Sequence, residues 1–304
     1  MTDTQHNLIV LLGATASGKT HLAVEIARII QAEIISADSR QVYRGMDIGT
    51  GKDLAEYAEI PYHMIDIVDP GDEFDLFKFQ QHFPALFKSI HQRHKTPLLC
   101  GGTGLYLDSI LGNEAMVTAP TNEALRRKLA PLSDEALQAE LLALQPEQHN
   151  RTNLDDRERT LRAIEIAEAR RLTPPTALID TLQPLVFGLR WQRETLRKRI
   201  TQRLKERLDE GMIEEVAHLH QQGVSWQVLE FYGLEYRFIA QHLQNRLTRN
   251  DMVQKLASAI HQFAKRQDTW FRRMERRGCT IHWLDGEENP LQQFMAVIAT
   301  LHRP

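Results

Sequence analysis

The chain has 304 residues, 42% hydrophobic and 25% charged, which excludes a disordered, collagen-like or low-complexity protein. Its apolar runs fall far short of the roughly 20 residues that span a bilayer, and Cys100 and Cys279 have no zinc-ligand spacing. The net charge of −3 is a cancellation: residues 1–150 hold 12 Lys and Arg against 20 Asp and Glu, a balance of −8, while residues 151–304 hold 25 against 20, a balance of +5.

The basic second half hints at a polyanionic partner. Two isolated thiols, and a start at Met1-Thr-Asp-Thr-Gln-His-Asn7 with neither a basic nor a long apolar stretch, lead to the expectation of a cytoplasmic protein.

Asn7–Leu12 (NLIVLL) reads as a buried parallel strand ending at Gly13. Residues 20–30 (THLAVEIARII) repeat apolar side chains at helical spacing. Glu33–Ala37 is a second strand and His63–Val68 (HMIDIV) a candidate third. Phe74–His91 is an amphipathic helix with Pro84 as a candidate kink. Pro97–Cys100 is a further strand, closed by Gly101 and Gly102. After about residue 113 the strands stop: Asn122–Leu144 and Asp155–Arg171 read as polar helices, ended by Leu172-Thr-Pro-Pro. Leu185–Trp191 returns to strand, Glu194–Glu210 is a basic helix, Arg249–Arg277 a long basic and aromatic one, and Ile281–Leu284 a last strand. The expectation is an α/β fold: a P-loop NTPase-like parallel sheet with a helical insertion. The core takes residues 1–113 and 185–304, the latter with basic C-terminal helices, and the insertion takes 114–184.

Gly13-Ala14-Thr15-Ala16-Ser17-Gly18-Lys19-Thr20 fits the phosphate-loop pattern in its proper setting, after a strand and before a helix. The glycines let consecutive amides turn toward an anion, and the helix dipole adds positive charge. Lys19 can reach outer phosphate oxygens, Thr20 can place its hydroxyl on a magnesium ion, and Ser17 or Thr15 can donate a further bond. The loop does not name a reaction. Phosphoryl-transfer enzymes usually end a second apolar strand in a magnesium-holding acid, but Pro97–Cys100 runs into Gly101-Gly102-Thr103-Gly104, and Asp66 is the substitute candidate.

Asp38 ends the second strand beside the phosphate loop, where open α/β sheets bind ligands. It can take a proton from an amine or hydroxyl nucleophile, or it can cap the next turn. Thr103, in the glycine turn, can hydrogen-bond a substrate. Arg199 and Arg203 share a helix face, and an arginine facing the phosphate loop would stabilise a departing diphosphate. Lys265, Arg266, Arg272, Arg273, Arg276 and Arg277 interleave with Phe263, Trp270 and Phe271, which reads either as an RNA surface or as a core face backed by a solvated one.

Together these stretches resemble the bacterial tRNA dimethylallyltransferases, also called tRNA isopentenylpyrophosphate transferases. The resemblance rests on GATASGKT at 13–20, ISADSRQVYRGMDIGTGK at 35–52, HMIDIVDP at 63–70 and PLLCGGTGLY at 97–106. It continues through DDRERTLRAIEI at 155–166, RKRITQRLKERLDEGMIEEV at 197–216 and AKRQDTWFRRM at 264–274. It implies transfer of the dimethylallyl group of dimethylallyl diphosphate to N6 of the adenosine 3′ of the anticodon. The phosphate loop would then hold a leaving diphosphate with Mg2+, which accounts for the missing strand-end acid. By the same resemblance Asp38 is the base, Gly13 to Thr20 bind diphosphate, and Arg203 binds it from the basic helix. Asp38, Ser39, Arg40, Gln41, Thr103, Arg126, Glu158, Arg159, Thr160, Leu161 and Arg162 contact tRNA through its anticodon stem-loop, the insertion being a tRNA-binding domain, and the enzyme is a monomer. Where the family commonly has I-G-Y-[KR]-[EQ], this chain reads Phe231-Tyr-Gly-Leu-Glu-Tyr-Arg237, and residues 261–263 read HQF in place of a TRQ-like triplet. Other readings are prenylation of free AMP, ADP or ATP, a small-molecule kinase, and a non-catalytic RNA-binding protein.

Overall fold

An unbroken run of aliphatic residues suits a strand covered on both faces, as in the middle of a parallel sheet, and Leu8–Gly13 is buried at every position. The computed structural model describes residues 6–117, 119–144, 156–174 and 176–301. Along the chain come β1 (Leu8–Gly13), α1 (Lys19–Ile30), β2 (Ala32–Ala37), β3 (Tyr62–His63), α2 (Leu76–Gln92), β4 (Thr96–Gly101) and α3 (Gly104–Leu111). Then follow α4 (Glu123–Leu129), α5 (Asp134–Leu144), α6 (Arg157–Leu172) and β5 (Pro184–Arg190). The chain continues with α7 (Arg193–Asp209), α8 (Met212–Gln221), α9 (Trp226–Phe231), α10 (Leu234–Leu243), α11 (Arg249–Arg276), β6 (Ile281–Asp285) and α12 (Pro290–Leu301). The six strands form one parallel sheet in the order β3-β2-β4-β1-β5-β6. β1 therefore lies between β4 and β5, and its end, the phosphate loop, lies centrally on the carboxyl edge.

The local chemistry explains most elements. α1 buries Leu22, Ala23, Ile26 and Ala27 against the sheet and stops at Gln31, whose left-handed backbone returns its amide to the Ala27 carbonyl. Asp75 caps α2 by accepting from the Lys78 amide. The helix continues through Pro84 as one element, because Phe79, Phe83, Phe87 and Ile90 bury one face along its length.

Several expectations are corrected. Only Tyr62–His63 of the 62–68 region pairs as a strand; Met64 and Asp66 have positive φ, which breaks the extended run, and Val68 makes an isolated bridge to Tyr43. Asn122–Leu144 is two helices, since Pro131 lacks the amide a continuous helix needs. The second polar helix is described from Arg157 to Leu172; Asp155, its expected start, and Pro175 in the expected stop lie outside the described residues. Helices α3, α8, α9, α10 and α12 were not anticipated.

The chain divides into two compact units, one of Met1–Gly112 with Ile179–Pro304 and the other of Asn113–Leu178. The expected end of the insertion at 184 falls inside the sheet, because Pro184 opens β5 and pairs with Leu8. The second unit has its own core of Leu129, Leu137, Leu141, Leu161 and Ile164. Among the described residues no helix is long and apolar enough to cross a membrane.

Candidate active site

The phosphate loop is held from outside, which leaves its inner surface free. Trp191 Nε1 donates to the Ser17 carbonyl at 2.8 Å and Arg199 Nε donates to the Ala16 carbonyl at 2.9 Å. Ala16 and Gly18 take left-handed backbones, φ 60° and 84°. No side chain among the described residues caps α1, and the amides of Lys19, Thr20 and His21 have no acceptor there, the first intrahelical bond being Leu22 to the Gly18 carbonyl. Thr15, Lys19 and Thr20 line a cavity of about 290 Å³. Gly13, Ala14 and Ala16 are buried in the loop's support. Ser17 turns away from this cavity toward Gly13, where an added Cβ would stand 2.9 Å from its Oγ, so Thr15 is the hydroxyl that faces the site. Desolvation, above all, lowers the Lys19 pKa, and nearby Arg203 and Arg207 push the same way. A cation so placed gains from an anion beside it.

Asp38 lies on the same cavity. One oxygen, Oδ1, accepts the Arg40 amide at 2.9 Å. The other has no hydrogen bond among the described residues. The turn-capping expectation for Asp38 thus holds for Oδ1, on a residue that also lines the cavity. Thr103 joins β4 to β2: its amide donates to the Ala37 carbonyl, and its Oγ1 accepts the Ser39 amide at 3.2 Å. Arg40 stacks its guanidinium over Phe231. The Gln41 side chain is spent inside the protein, accepting from Ser36 Oγ and donating to the Gly51 carbonyl. Asp66, the substitute magnesium acid, is paired with Lys52, a fully buried lysine that also binds Asp47 at 2.6 Å; its carboxylate anchors the 43–52 loop.

Three residues of the site escaped the sequence reading. Gln267, on α11, accepts the Thr15 amide at 2.8 Å and donates to the Gly102 carbonyl at 2.9 Å, clamping the phosphate loop to the glycine turn. Glu215, on α8, accepts the amides of Asp47, Ile48 and Gly49 and the Tyr236 hydroxyl. Asp53 pairs with Arg203. Gln267 lies within the AKRQDTW stretch, whose charge and aromatics drew attention away from its amide. Nothing in sequence spacing brings Glu215 to residues 47–49.

The 231–237 segment, where the chain departs from the family pattern, forms a wall of the cavity together with Ile260 and Phe263. Burial, above all, raises the Glu235 pKa, and Asp38 adds to the effect. Of the aromatics on α11, Phe271 is 1% exposed and belongs to the core, while Trp270 packs onto Gly104.

Within the second unit, Glu158, Arg159 and Arg162 of α6 are exposed. Thr160 and Leu161 turn inward, so the outward surface of 158–162 is charged. Arg126 is half-buried and bonds Glu165 at 2.8 Å and Glu158 at 2.9 Å.

An uncapped helix start after a glycine loop, with a lysine and an acid on one cavity at the carboxyl edge of a parallel sheet, defines a phosphate-loop α/β protein. The family model described as IPP transferase matches residues 41–274, and one described as isopentenyl transferase matches 6–60. The "tRNA dimethylallyltransferase 2" of Syntrophotalea carbinolica is 60% identical over 96% of this chain and 98% of its own length. A solved tRNA isopentenylpyrophosphate transferase from Bacillus halodurans is similar with a TM-score of 0.72 and 29% identity, covering 97% of this chain and 96% of that one. A eukaryotic dimethylallyltransferase solved acting on tRNA shares the fold at a TM-score of 0.78 and 22% identity, over 98% of this chain and 80% of that one. The chain belongs to the IPP transferase family.

Proposed function

We propose that this chain transfers the dimethylallyl group of dimethylallyl diphosphate to N6 of the adenosine 3′ of the anticodon in tRNA, releasing diphosphate. The observation that carries the reading is the single cavity on which Lys19, Thr20, Arg203 and Asp38 meet an apolar wall of Leu234, Ile260 and Phe263. The anion end suits a diphosphate, the wall a prenyl chain, and the carboxylate an amine nucleophile.

In the reaction the C1–oxygen bond of the donor breaks as the N6–C1 bond forms. The free amides of α1, Lys19 and Arg203 take up the charge growing on the diphosphate. Asp38 orients the amine, whose lone pair is conjugated with the ring, and accepts its proton. The adenine must leave the anticodon stack to reach the cavity, as in base flipping.

Thr20 is the side-chain oxygen donor for magnesium; among the described residues no cluster of three metal-ligating side chains exists. So sparse a set fits an ion that keeps several waters and takes only one or two protein oxygens beside phosphate. Bound there, magnesium would neutralise leaving-group charge. The charged outer surface of α6, with Arg126, supports a tRNA role for the insertion. The resemblance to its family supports a working monomer, and a tRNA substrate supports a cytoplasmic location.

Incubation with labelled dimethylallyl diphosphate and either unmodified tRNA or AMP tests the acceptor. Label in tRNA is the expected result. Label in AMP alone would overturn it.

A further inference from the structure

Arg207 has no part in the mechanism above, yet it is 9% exposed and lines the same cavity as Lys19 and Arg203. It makes no hydrogen bond with any described residue, and its Nη2 is buried without a partner. Its nearest carboxylate, Asp53 Oδ2, lies at 3.9 Å, beyond hydrogen-bond reach, and that oxygen already receives Arg203. Glu235, on the facing wall, gives it no hydrogen bond either.

A guanidinium remains protonated, and its charge is costly to bury unmet. The fold nevertheless makes room for it. A Cβ at Gly51 would fall 1.5 Å from Arg207 Nη2, so the guanidinium lies directly on the backbone of that glycine, which has φ +63°. Arg199, Arg203 and Arg207 recur every four residues, one stripe of α7 turned toward the phosphate loop and the 49–53 loop. The first of them is occupied by the Ala16 carbonyl and the second by Asp53. Only the third carries a buried donor with nothing to donate to.

We propose that Arg207 is a second diphosphate-binding guanidinium, which with Arg203 grips the leaving group from the side opposite the phosphate loop. The proposal rests on the diphosphate reading of the site. A planar fork of donors suits phosphate oxygens better than a point charge does.

Titration calorimetry with inorganic pyrophosphate and magnesium tests it on the full chain, comparing the parent with Arg207→Gln and Arg207→Lys. The expected result is a Kd raised about tenfold or more in Arg207→Gln and about threefold in Arg207→Lys. The KM for dimethylallyl diphosphate should rise in parallel, with the KM for tRNA within about twofold of the parent's. A merely structural arginine would not separate the two KM values. Unchanged pyrophosphate affinity in Arg207→Gln overturns the proposal. Should that variant not fold, unchanged affinity in Arg207→Lys overturns it instead. A parent that binds no pyrophosphate contradicts the diphosphate reading itself, separately from the role of Arg207.

Discussion

Asp38 commits one carboxylate oxygen to its own turn and leaves the other without a hydrogen bond among the described residues. The bond from the Arg40 amide fixes the carboxylate's direction at the edge of the cavity that Asp38 lines. Asp38→Ala is expected to lower kcat by about 10²–10⁴ while pyrophosphate affinity stays within about threefold, because the anion contacts come from other residues. Single-turnover rates alongside pyrophosphate titration check this. Equal losses in both would make Asp38 part of the anion site. The position of Asp38 at a strand end was legible in the sequence; the division of its oxygens was not, because it depends on the turn geometry of residues 38–40.

At the scale of elements, the site is a junction of loops held by helices from far along the chain. Gln267 of α11 joins the phosphate loop to the turn after β4, and Glu215 of α8 collects three consecutive amides of the 47–49 loop. Gln267→Ala leaves the Thr15 amide and the Gly102 carbonyl unmatched, at a cost of about 1–3 kcal/mol. It should also raise the KM for the allylic diphosphate more than that for tRNA. Denaturant unfolding and steady-state kinetics measure the two effects, and a variant as stable as the parent would contradict the clamp. The sheet and its long helices were readable because their apolar periodicity is strong, as in α1 and α11. The short helices α8 to α10 were not, since each buries only a few side chains and their order follows from packing across the chain. The strand expected at 63–68 failed for a local reason, the positive φ of Met64 and Asp66. The phosphate loop was legible in full, whereas Gln267 and Glu215 act over 252 and 166–168 residues of sequence separation.

At the scale of the whole molecule, the two compact units call for separate tests. In the second, Glu165 is buried; burial opposes its ionisation, but bonds from Arg126, the Asn122 amide and Arg162 win and hold its pKa at about 2. A depressed carboxylate contributes stability that is complete above its ordinary value of 4.5 and is lost as pH falls toward about 2. Hydrogen-exchange protection factors in α4, α5 and α6, taken relative to the intrinsic rate at each pH, should therefore fall in the parent below pH 4.5. Glu165→Gln, already weakened by about 2 kcal/mol at neutral pH, should show no such step. The charge division between the halves of the chain, −8 and +5, bears on RNA affinity. Binding of tRNA should weaken steeply and log-linearly with salt between about 50 and 200 mM, the range in which phosphate contacts lose counterion-release energy. A salt-independent Kd would contradict a basic RNA surface.

The most direct measurement follows both ends of the donor at once, using dimethylallyl diphosphate labelled with tritium in the prenyl group and ³²P in the diphosphate, with unmodified tRNA as acceptor. The expected result is tritium on N6 of the adenosine 3′ of the anticodon, with all ³²P released as pyrophosphate in equal amount. Phosphorus label in the RNA with no tritium on N6 would show that the phosphate loop serves phosphoryl chemistry instead.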